Sequence, residues 1–177
     1  MRKEDFLKLK NWANSIGVKV DCKYFYNIDY IGLDSAGYAN GHIYLKIRKH
    51  KNRNNYVNWT EAILDLAHEL GHHLDDIKVK NPNYKAHSYQ ASVKGEYKYI
   101  PHWARKVILR HELNADLAIP DILETVGISI TKQKIDAYIF ENQYVYEYLV
   151  SNYGMLPTRR HMRSIRRKFK RLYNAER

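Results

Sequence analysis

Residues 67–73 read Ala-His-Glu-Leu-Gly-His-His, and no other stretch of the 177 residues constrains the fold as tightly. His68-Glu69-x-x-His72 falls late in a run that patterns as a helix. From Thr60 to Asp75, the residues Ile63, Leu66, Ala67, Leu70 and Leu74 recur at helical spacing. Thr60 is the expected N-cap, and Glu61 suits the positive end of the helix dipole. Imidazoles at i and i+4 leave one face of a helix and can grip a single metal ion. Glu69 lies between them, where a carboxylate can take a proton from bound water. His and Glu each occur 9 times in 177 residues, so an accidental match somewhere in the chain has a chance of roughly two per cent. A helix with this apolar stripe packs inside its domain, so neither histidine is a casual surface residue. Gly71 in mid-helix costs about 1 kcal/mol against Ala. Close approach of another backbone or of a substrate would explain it.

A catalytic zinc site needs a third protein ligand and an open fourth position. The metzincin extension is absent, because Asp75 and Lys78 stand where Gly and His would be required. A different partner appears downstream. His111-Glu112-Leu-Asn-Ala-Asp116 follows the helical run Arg105–Arg110, and Glu112 and Asp116 share a face at i and i+4. Glu112 is the expected third ligand, with His111 the runner-up. Asp116, one turn on, can accept the free ring N–H of a metal-bound histidine and fix its tautomer.

The order His68-Glu69-x-x-His72 then Glu112-x-x-x-Asp116 resembles the gluzincin zinc peptidases. More narrowly, Glu112-x-x-Ala115-Asp116 resembles the ImmA/IrrE family, in which a Glu-x-x-Ala-Asn/Asp helix follows the first motif. Gly37-Tyr-Ala-Asn-Gly-His-Ile-Tyr-Leu45 is similar to the glycine-rich hairpin that precedes the family's active helix. The resemblance covers roughly residues 36 to 157. It implies a cytoplasmic zinc endopeptidase of phages or mobile elements that cleaves or inactivates a specific transcriptional repressor. The chain departs from the family in Leu117-Ala-Ile-Pro120, and Pro120 should end or kink its helix.

Composition narrows the setting. The single cysteine, Cys22, rules out an intrachain disulfide framework and a cysteine-based zinc ribbon. The N-terminus lacks the apolar core of a signal peptide, and no stretch is long and apolar enough to span a bilayer, so no membrane partner is expected. The net charge of +11 is uneven: residues 158 to 177 hold nine Lys/Arg against one acid, Glu176. There Met162, Ile165, Phe169 and Leu172 form one helical stripe, which predicts a docked helix with a basic outer face. Arg159, Arg160, Arg163, Arg166 and Arg167 are the candidates on that face for binding nucleic acid or an acidic protein, against the commoner solvated charged face.

The expected architecture is α+β. Residues 3–15 pattern as a helix ended by Gly17, and Val18–Tyr26 alternates as a strand. Asn40-Gly41 is a strong two-residue turn joining Gly37–Ala39 to His42–Ile47. A small antiparallel sheet is therefore expected against the zincin-like active helix. Further helices follow at 121–126 and 131–150. Residues 1–157 would form the metallopeptidase domain and 158–177 an appended basic helix. Fold analogy makes 42–47 the strand that would pair with an extended substrate. Residues 77–101 lack a helical period and read as a long loop that could line the cleft.

The chemistry expected is zinc-assisted amide hydrolysis, with Glu69 as general base. Tyr99, Tyr97, His87, His102 and the tyrosines of 138–148 are the candidate donors to the oxyanion. His73 and His111 point about 100° away from their motif neighbours and read as packing or supporting residues. Two alternatives stay open. One is a metal-containing regulator acting through its basic helix. The other is a peptidase fold that binds a partner without cutting it, against which the presence of Glu69 argues.

Overall fold

The computed structural model describes residues 3–25, 36–50, 56–78, 101–152 and 157–175. They form five helices and four strands, so the α+β class holds. In chain order these are α1 (Lys3–Ser15), β1 (Lys19–Phe25), β2 (Ala36–Ala39), β3 (His42–His50) and β4 (Tyr56–Val57). Then come α2 (Trp59–Lys78), α3 (His102–Val126), α4 (Lys132–Ser151) and α5 (Arg159–Ala175). The chain divides into two compact units, residues 1–78 with 115–130, and residues 79–114 with 131–177. Among the described residues, no helix is long and apolar enough to cross a membrane.

The first unit is built around the sheet. Asn40 and Gly41 both take positive φ, 49° and 75°, as a two-residue turn between right-twisted strands demands. That turn sets the antiparallel register Ala39↔His42 through Ala36↔Leu45. The sheet order is β1-β3-β2, and β1 runs parallel to β3 from Lys19↔His42 to Phe25↔Arg48. The sheet is thus mixed. Alternation in a single strand fixes which face is buried but says nothing of its partner's direction. β3 is also the central strand: β1 takes one side of 42–48 and β2 takes the other along 42–45, so the 42–45 part of the expected substrate-pairing stretch has both sides taken.

One face of the sheet is the core. Val18, Val20, Ile43, Leu45 and Ile47 meet Phe6, Leu9 and Ala13 of α1 and Ile63, Leu66 and Leu70 of α2, all buried. Phe6 stacks near Trp59 with ring centroids 5.4 Å apart. The N-cap of α2 is Asn58, two residues before the expected Thr60. Asn58 Oδ1 accepts the Glu61 N–H at 3.4 Å, and its amide donates to the Glu61 carboxylate at 3.2 Å. The first bond satisfies one of the free N–H groups of the helix start, and the second holds the two side chains together.

Helix α3 runs through Pro120 to Val126 instead of ending there. The proline removes one backbone hydrogen bond. Buried Ile119, Ile122, Leu123 and Val126 on either side hold the turn in place. In the second unit, α5 packs on α4. Phe140 and Phe169 meet at 5.3 Å, and the Glu141 carboxylate accepts three bonds from Arg166 Nε and Nη2 at 2.9–3.0 Å. Arg166 is therefore a clamp between the two helices and not part of a free basic face. Met162 is buried as the stripe predicts, whereas Leu172 is half exposed at the far end of α5.

Candidate metal centre

Helix α2 is buried on most of its circumference from Ala62 to His72. Such a helix is normally apolar all round, yet it carries His68, Glu69 and His72. Gly71 explains how a second helix reaches this segment. A Cβ built there would lie 2.4 Å from the Ala115 carbonyl oxygen and 2.7 Å from its Cα. The two backbones touch, which is the close approach expected at a mid-helix glycine.

That contact brings the next residue of α3, Asp116, against α2. The His68 Nδ1–H donates to Asp116 Oδ1 at 2.9 Å. A proton held at Nδ1 leaves Nε2 as the ring atom available to a metal ion. His72 Nε2 lies 3.1 Å from that atom, and the rings stand at 84° to each other. One turn before Asp116 on the same helix, Glu112 completes the group. Ligand atoms of His68, His72 and Glu112 all lie within 4.8 Å of one another. This buried His-His-Glu cluster can hold a metal ion.

Burial makes the case stronger. Asp116 is 0% exposed, and His68, Glu69, His72 and Glu112 lie between 2% and 7%. Among the described residues these five are the buried polar or charged side chains. Ionisable groups are almost never buried unless paired or bound to metal. A divalent cation is one group that suits such a buried His-His-Glu set. The donor set fits as well. Nitrogen ligands about 2.0–2.1 Å from a tetrahedral zinc lie about 3.3 Å apart, close to the observed separation of the two Nε2 atoms.

Other candidates fall elsewhere. His102 is exposed at the first turn of α3, ten residues before Glu112. At 1.5 Å per residue it lies roughly 15 Å away along the helix, too far to serve as the oxyanion donor. Tyr97, Tyr99 and His87 lie outside the described residues, as does most of the 77–101 segment. On α4, Tyr144 and Tyr148 are stacked at 6.1 Å, and Tyr148 also meets His161 of α5 at 5.2 Å.

One contact beside the centre was missed in the sequence. Tyr38 Oη accepts the Gly41 N–H at 3.2 Å and lies 3.0 Å from His73 Nδ1. It ties the hairpin to the helix that carries the ligands. Burial holds the His73 pKa below the usual imidazole value, with nearby Asp76 opposing. Strand alternation contains the signal, since Tyr38 pairs with Ile43 and faces the core. Comparison of the chain with protein-family models, with curated proteins and with solved structures returns no match.

Proposed function

We propose that the chain is a zinc-dependent endopeptidase that cuts one specific intracellular protein. The observation that carries the reading is the buried cluster of His68, His72 and Glu112, with Asp116 bonded to His68 and the buried Glu69 next to His68 in sequence. Two imidazoles and one carboxylate form a donor set suited to zinc. Zinc bound there would polarise the scissile carbonyl and acidify a water molecule.

The protein's own groups do the rest. Asp116 holds the His68 ring in the tautomer that leaves Nε2 free. Glu69 adjoins His68 in sequence and is 7% exposed. Its carboxylate receives a proton from the attacking water and returns it to the leaving amine, so amide and water become acid and amine. A purely structural metal site would not need this carboxylate. The resemblance to the ImmA/IrrE family points to a cytoplasmic transcriptional repressor of a phage or mobile element as the substrate.

The test is incubation of the full chain with a repressor encoded beside it, with a chelator control and zinc analysis. Wild type should carry one zinc and cleave. Glu69→Gln should keep the zinc and lose at least about 10²-fold in turnover. A protein that stays metal-free when zinc is supplied overturns the assignment. Equal cleavage by the variant removes Glu69 from the chemistry.

A further inference from the structure

The exposed side of α5 is the strongest feature that the metal centre does not explain. At 100° per residue, Arg160, Arg163, Arg167, Lys170 and Arg171 fall within an arc of about 100°. All five are exposed. The opposite side is the one that docks on α4 through Phe169 and Arg166, with Met162 buried there. No acid occurs anywhere in α5. Its first turn even carries Arg159 and Arg160 where the helix dipole disfavours cations. An anionic partner would relieve that conflict.

We infer that this face binds the phosphate backbone of duplex DNA without regard to sequence. A protein partner would need apolar or aromatic anchors at the centre of its interface. The outward arc of α5 offers none. Single-stranded nucleic acid is held by aromatic platforms, and the aromatic rings of α5 are turned away: Phe169 meets Phe140 and Tyr173 stacks on Phe169. What remains is a helix of 17 residues, about 25 Å long, with cations every three or four positions. The major groove of B-form DNA admits such a helix, whereas that of A-form RNA is too deep and narrow for its side chains. The inference stands apart from the peptidase reading, because it requires neither zinc nor Glu69.

The full chain, with and without zinc, should be titrated against a fluorescent random-sequence duplex of 20 base pairs while its anisotropy is followed. Log affinity should fall linearly with log salt at a slope of about −4, a loss of more than about 10²-fold between 50 and 200 mM. Changing Arg160, Arg163, Arg167 and Arg171 together to Ser should weaken binding at least 10-fold and flatten the slope by about 3. The same four changed to Lys should keep most of the affinity, which guards against a folding artefact in the Ser variant. Removing the zinc should change nothing. The inference is overturned by salt-independent binding, by an unaffected Ser variant, or by a Lys variant as weak as the Ser one. Tighter binding to single strands, duplex RNA or polyglutamate would overturn it too.

Discussion

Helices α2 and α5 are both amphipathic and both rich in ionisable side chains, but they treat those side chains in opposite ways. α2 turns His68, Glu69 and His72 into the protein, where each must have a partner. α5 turns its outward cations into water, where each is solvated and individually weak. Desolvation makes the difference. A group in the buried His-His-Glu cluster carries a penalty that only its particular neighbours offset, so geometry is specific and substitution is harsh. A cation on α5 acts through the summed field, so single losses are mild and the count matters.

The comparison can be put under strain from its most sensitive point downward. Gly71→Ala drives a methyl into the Ala115 backbone, 2.4 Å from its carbonyl oxygen. Despite about 1 kcal/mol of better helix propensity, it should cost about 3 kcal/mol net, read as a lower urea midpoint. A variant as stable as wild type would mean the two helices can slide apart and the centre is softer than argued. Asp116→Ala leaves the His68 ring unoriented in a buried place. It should lower zinc affinity by about 10–100-fold, measured by competition with a chelating dye. Unchanged affinity would show that the ring needs no support. At the other extreme, Arg166→Ala removes a pair whose side chains are 64% and 27% exposed. Its cost should stay under about 1 kcal/mol by the same denaturation measurement. A loss of several kcal/mol would place α5 on the buried side of the comparison.

Much of the buried His-His-Glu cluster could be read from spacing alone. Two histidines four apart and two carboxylates four apart each define a helix face, and the apolar residues between them say that the face is buried. Gly71 announced a backbone contact because nothing local justifies a glycine there. What could not be read depends on pairing over distance. The strand pattern of 18–26 carries no information on direction, so the parallel partnership of β1 with β3 stayed hidden, and with it the central position of β3. Asn58 was passed over as a cap because Thr60 is also a good cap residue, and only the bonds to Glu61 distinguish them. Pro120 was expected to end or kink its helix because the local rule is strong, and α3 continues past it to Val126. The buried residues around it override that rule. His102 was a candidate by residue type alone, and its distance along α3 removes it.

The parallel pairing of β1 with β3 also sets the order in which the sheet can assemble. The β2–β3 hairpin closes over two residues, a local event on the microsecond scale. β1 leaves the ribosome first, yet its partner strand begins only at His42, with a whole hairpin arm still to be made in between. Its hydrogen bonds therefore wait on closure of a longer loop, whose entropy is lost before any contact repays it. The earliest strand in the chain is thus expected to be the last to join the sheet, and until then its Val20 and Cys22 side have no apolar surface to lie against but α1.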